Sequence, residues 1–142
     1  MKLQYFSIIL AILSNTCYHL AQKSTPSNAN PIIALIVTYA CALIVSISVF
    51  FIFIPNENLL ESVKTINFSS FLLGFAVVGL ELGFLLAYRS GWDISIAGFF
   101  ANTIVGLLLI PIGFFLYNEK LSITNISGFL LCITGLILVS KR

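Results

Sequence analysis

Residues 74–89, GFAVVGLELGFLLAYR, form an apolar run of helical length that holds one acidic residue, Glu81, near its centre. A run this apolar belongs in hydrocarbon, where a charged side chain costs about 2.5–3.5 kcal/mol on insertion scales and more on an isolated helix. Glu81 must therefore be paired, protonated or used. The rest of the chain is read from what it can offer to that one group.

Composition settles the solvent. Hydrophobic residues make up 59% of the chain and charged residues 8%, whereas charged residues make up about a quarter of an ordinary soluble domain. The mean hydropathy of +1.08 points the same way. The expected fold class is all-α integral membrane. A span needs about 20 residues to cross roughly 30 Å of hydrocarbon, so 142 residues leave room for five spans in a single membrane domain, 1–142, and for no separate soluble domain.

The five apolar segments are 3–22, 32–54, 68–88, 94–117 and 123–140. Turn chemistry separates them. Residues 23–31 (KSTPSNANP) hold two prolines and two asparagines, and residues 55–67 (PNENLLESVKTIN) form the longest loop. Ser90, Gly91, Trp92 and Asp93 make a tight turn, with Asp93 as N-cap of the fourth span and Trp92 as an interfacial aromatic. The last break is Asn118-Glu119-Lys120. Lys2 and the apolar run after it look like a signal peptide at first sight, but no small-residue cleavage site follows and the run reaches Gln22. The segment is expected to be retained as a span.

An odd number of spans puts the termini on opposite sides. On the side of Met1, side A, stand Lys2, Lys64 and Lys120; on side B stand Lys23, Arg89, Lys141 and Arg142. Three cations against four is almost no positive-inside bias. Either orientation is fixed by other details, or copies insert both ways and pair antiparallel, as the inverted repeats of many transporters do within one chain.

Counting at 1.5 Å per residue from the side B ends, Glu81 lies eight residues before Arg89, Asn102 nine after Asp93, Asn15 eight before Lys23 and Thr38 seven after Pro31. All four then sit about 10–14 Å below one interface. Polar groups in hydrocarbon can find partners only at their own level, so the four are expected to share a layer. On the first span Asn15, Tyr18, His19 and Gln22 follow helical spacing and form one polar stripe that runs out to side B. Ser95, Gly98, Asn102 and Gly106 give the fourth span a small, polar face.

On the third span Gly79 and Gly83 make a GxxxG pair suited to helix packing, while Glu81 projects from the other side together with Gly74 and Tyr88. That second face is expected to meet either the polar stripe of the first span or a cavity. Gly128 and Gly135 offer a flat packing face on the fifth span, and Pro111 is expected to kink the fourth by freeing a carbonyl near Leu107. Two roles are open to Glu81: a neutral carboxyl that locks the bundle, or a titratable group that binds a proton or a cationic solute at mid-membrane. The candidate binding residues are Glu81, Asn102, Asn15, His19, Tyr18, Thr38 and Tyr88; the candidates for packing or kinking are Gly79, Gly83, Gly106, Pro111, Gly128 and Gly135.

Other chemistries find no footing. The net charge of +2 is scattered, with no basic run for nucleic acid. Cys17, Cys41 and Cys132 have no metal-ligand or CxxC spacing and read as small buried packing residues. The sequence shows no nucleophile and base pair, metal cluster or phosphate-cradling loop, so no enzyme, metal or cofactor is expected.

Residues 108–142, LLIPIGFFLYNEKLSITNISGFLLCITGLILVSKR, carry a resemblance. A helix ends in an acidic-basic-Leu turn, Glu119-Lys120-Leu121, before a last span spaced by Gly128 and Gly135. This resembles the closing signature of the EamA-like transporters of the drug/metabolite transporter superfamily. Five spans are similar to one EamA repeat, of which most such proteins carry two. The resemblance implies a single-repeat bundle that needs a second copy or a related subunit, in a multi-pass setting such as a bacterial plasma membrane. The small multidrug resistance proteins, distant relatives, form antiparallel dimers around a glutamate on their first helix; here Asn15 falls near that place.

The expected function is alternating-access transport of a small polar or amphiphilic metabolite or drug, with proton coupling through Glu81. The expected partners are membrane lipid, the small-molecule substrate and a second copy, with no nucleic acid. The alternatives are a lipid-carrier flippase component and a structural membrane subunit that does not transport.

Overall fold

A computed structural model describes residues 2–54 and 56–140. Met1, Pro55 at the start of the long loop, and Lys141 and Arg142 of the side B charge count lie outside the described residues. Six helices follow in order: α1 (Lys2–Ser24), α2 (Pro31–Phe53), α3 (Leu59–Lys64), α4 (Phe68–Arg89), α5 (Ile94–Leu116) and α6 (Ile123–Ser140). No strand occurs among the described residues. Five of the helices match the five apolar segments to within two residues at each end.

Three of them, α2, α4 and α5, are long and apolar enough to cross a membrane, and α6 is a shorter apolar helix. α1 is as long as α2, but Asn15, His19 and Gln22 break its apolar run. α3 lies inside the long loop, where no helix is expected from the sequence; six residues are too few to display a periodicity.

Asparagine sets the starts of three helices. Asn30 Oδ1 accepts from the Ile32 and Ile33 amides at 2.9 and 3.4 Å, with Pro31 supplying the first turn of α2. Asn58 accepts from Leu60 N at 3.1 Å and Asn67 from Ser69 N at 3.0 Å, opening α3 and α4. Each side chain satisfies an amide that the first turn cannot pair. Asp93 does occupy the N-cap of α5, yet its side chain makes no capping hydrogen bond. α5 runs through Pro111 as a single helix.

The chain divides into two compact units, the first running to Ser90 and the second from Gly91. Gly91 has φ +100°, a conformation that a side chain would strain.

In the first unit α4 packs against both α1 and α2. α1 and α4 end on the same side, because Arg89 Nη2 donates to Pro26 O at 3.0 Å and Lys23 Nζ stands 5.6 Å from the centre of the Tyr88 ring. In the second unit α5 packs against α6. The α5 C-terminus closes on Gly113 O, which accepts from Tyr117 N at 3.2 Å and Glu119 N at 3.0 Å. Asn118 takes φ 52° to make that return. The Glu119 carboxylate folds back over Gly113, so a Cβ there would lie 2.5 Å from Oε2. Trp92 packs on Phe100 at 5.9 Å between ring centres.

Burial is inverted relative to a soluble protein. Buried apolar side chains are few, Leu35, Leu85, Tyr88 and Ala97, while long runs of Ile, Leu, Val and Phe face outward on every long helix. Among the best-buried groups are a histidine and a glutamate, His19 and Glu81. Such extended apolar surface has no place in water. The three cysteines are free and exposed, which corrects the expectation that they are buried packing residues; they lie on the outward apolar faces of α1, α2 and α6.

Candidate functional site

The face of α4 that carries Glu81 is built by helical spacing: Gly74, Val77 and Val78, Glu81, Phe84 and Leu85, then Tyr88. Its side B half meets α1. There Tyr18, His19, Phe84 and Tyr88 form an aromatic cluster in which Phe84 and Tyr88 stack and the other pairs meet edge to face, with His19 and Phe84 centres 4.7 Å apart and Tyr18 and Phe84 at 6.0 Å. Tyr88 Oη and His19 Nδ1 share a 2.8 Å hydrogen bond whose direction follows the histidine tautomer. His19 Nε2 is buried with no partner.

Gln22 ties the cluster to the Glu81 backbone. Its Nε2 makes two long hydrogen bonds, both 3.4 Å, to Tyr18 Oη and to Glu81 O. Glu81, Tyr88 and Tyr39 are all close enough to the Tyr18 hydroxyl to act on it electrostatically.

At Glu81 itself the partner comes from α2. Tyr39 faces the carboxyl as a hydrogen-bonding neighbour, although Tyr39 Oη and Glu81 Oε2 are both buried and fall outside close hydrogen-bond geometry. Glu81 is 8% exposed and His19 9%. Buried polar atoms are paired in the great majority of cases, so His19 Nε2, Tyr39 Oη and Glu81 Oε2 single out this region of α4.

On the side A half the same face is open. A groove of about 660 Å³ runs between α2 and α4, lined by Tyr39, Ser70, Phe71, Gly74, Val77 and Val78. A Cβ added to Gly74 would meet nothing within 4 Å. Tyr18, His19 and Gln22 of the α1 stripe thus cover one half of the Glu81 face, without Asn15, and a groove occupies the other.

Of the expected site residues, Tyr18, His19, Glu81 and Tyr88 come together in this cluster. Thr38 is exposed and its hydroxyl donates to Ala34 O at 3.0 Å on its own helix. Asn15 is exposed on α1; Asn102 and Gly106 are exposed on α5 in the second unit. At Gly79, Gly83, Gly106, Gly128 and Gly135 an added Cβ would meet nothing within 4 Å. Tyr39 and Phe84 are the residues that sequence reasoning missed. Tyr39 lies eight residues beyond Pro31, at the depth of Glu81, and the depth count could have found it beside Thr38.

Among the described residues no group of three His, Cys, Asp or Glu side chains could hold a metal ion. No family model matches the chain, and no curated protein or solved structure matches it.

Proposed function

We propose that this chain is a small multi-pass membrane transporter, five spans to the copy, that moves a small polar or amphiphilic solute by alternating access coupled to a proton at Glu81. Its closing turn and span pattern support placing it with single-repeat EamA-like transporters. The observation that carries the reading is the Glu81 carboxyl, buried in an apolar helix opposite the Tyr39 hydroxyl, with an oxygen of each unpartnered. Desolvated groups left unpaired are costly, about 1–3 kcal/mol each. A site that keeps such groups gains from a ligand or a proton that satisfies them, and a carboxyl at mid-membrane is the usual locus of proton-linked transport.

The packing glycines support pairing of copies. Gly79 and Gly83 lie on the outward face of α4 with open space beside them, the surface that a small-xxx-small contact uses. A second copy would supply the other half of a ten-helix transporter.

The test is proton-driven current across a membrane holding proteoliposomes, recorded over a panel of amines, sugars, amino acids and amphiphilic drugs. We expect one or more solutes to give a current that Glu81→Gln abolishes while folding and dimerisation persist. If Glu81→Gln leaves the solute currents unchanged, Glu81 coupling is wrong. If no solute gives a current and Glu81→Gln instead dissociates or unfolds the protein, the polar cluster is structural.

A further inference from the structure

The groove between α2 and α4 carries Ser70 toward the start of α4 and Tyr39 toward Glu81, with an apolar length between them. Phe71, Gly74, Val77 and Val78 make it apolar along its length. Phe71 and Val78 stand at an exposed rim, so in a membrane the groove opens onto lipid. At its inner end stands Tyr39, which lines the groove and also faces Glu81. Glu81 follows Val78 on α4 by less than one helical turn.

An ordinary lipid-facing crevice has no polar terminus. Here Tyr39 lines the groove and the Glu81 carboxyl stands behind it, and Tyr39 Oη and Glu81 Oε2 are buried outside close hydrogen-bond geometry. Lipid tails can fill the apolar length, but they cannot satisfy a hydroxyl or a carboxyl oxygen. The complementary occupant therefore has a hydrocarbon part and a hydrogen-bond donor at one end. A groove of about 660 Å³ falls in the range of roughly 300–1,000 Å³ that small-molecule sites occupy.

We infer that this groove is a laterally open binding site for a single-chain amphiphile, whose hydrocarbon lies along Phe71 to Val78 and whose hydroxyl or amine head hydrogen-bonds Tyr39 and Glu81. The inference rests on the reading of Glu81 as the solute site, and it narrows the solute to an amphiphile that enters from the bilayer. Gly74 is the floor of the groove: the absent side chain leaves room for the hydrocarbon. Tyr39 is the residue that discriminates, since it touches both the apolar length and the carboxyl.

Photolabelling of the full chain in liposomes tests this. Three probes carry the same diazirine-bearing alkyl chain and end in an alcohol, an amine or a methyl group. The alcohol or the amine should label Phe71, Val77 and Val78 well above Leu80 and Leu86, exposed residues elsewhere on α4. Tyr39→Phe should lower that labelling about fivefold, the factor that corresponds to one lost hydrogen bond of about 1 kcal/mol. It should leave the methyl-ended probe unchanged. Gly74→Leu should block the groove to all three probes, and because its side chain enters open space the variant should elute and show helicity like the parent.

Capture of the amine alone makes the head cationic and pairs it with the carboxylate; capture of the alcohol as well makes hydrogen bonding sufficient. Labelling no greater at the groove than at Leu80 and Leu86, or equal loss of headed and headless probes in Tyr39→Phe, overturns the assignment. Glu81-dependent currents without groove labelling would remove the groove and leave the transporter; groove labelling without currents would do the reverse.

Discussion

The 2.8 Å bond between Tyr88 and His19 joins two side chains that are both buried, and it links α1 to α4. Removing the hydroxyl with Tyr88→Phe would leave both ring nitrogens of His19 buried without a partner, because Nε2 has none already. An unmade buried hydrogen bond costs about 1–3 kcal/mol, more than the bond itself contributes. Tyr88→Phe should therefore lower the melting temperature in detergent, and His19→Phe combined with it should recover part of the loss. A double-mutant cycle with additive effects would show that the pair is not coupled. His19, Tyr18 and Tyr88 were legible because helical spacing alone puts them on faces that lead to side B. Tyr39 was hidden by its neighbour: Thr38 and Tyr39 differ by one residue in depth but by about 100° in direction, and only the packing of α2 on α4 selects between them.

Helix ends are where the sequence spoke most plainly. Asparagine and proline cluster in the breaks, and Asn30, Asn58 and Asn67 became caps because their short side chains reach the first-turn amides. The closing turn of α5 has a less visible device. Gly113 is buried under the Glu119 carboxylate, and the Gly113 carbonyl holds the Tyr117 and Glu119 amides. Nothing in the spacing announces that contact, since it depends on Asn118 turning into the left-handed region. Gly113→Ala should force Glu119 out and open the turn, at a cost of about 1–2 kcal/mol against a helix-propensity gain of up to about 1. Gly106→Ala on the same helix meets nothing and keeps only the gain, so the two alanine variants should move thermal stability in opposite directions. Stabilisation by both would mean that Glu119 swings away freely.

At the scale of the molecule the inverted burial pattern follows directly from composition, but the orientation of the copies does not. On the five-span topology proposed above, the cations would divide three to four between the two sides, so the bias that sets topology would be nearly balanced, and such a chain could insert both ways. Antiparallel copies would bring the outward Gly79 and Gly83 faces of two α4 helices together across a two-fold axis in the membrane plane, completing an inverted pair. The measurement uses a background in which Cys17, Cys41 and Cys132 are replaced by alanine. Single cysteines at Ser27 and at Asn56, one in each long loop, then report the two sides. In intact cells an impermeant thiol reagent should label roughly half of the molecules at each position, the outcome of a balanced bias. Two added lysines on side A should shift Ser27→Cys to full labelling and Asn56→Cys to none, because a decisive excess of cations holds that side inside. Labelling of one position only in the unmodified charge background would mean a single orientation, and the pair would then have to be parallel or formed with a different subunit.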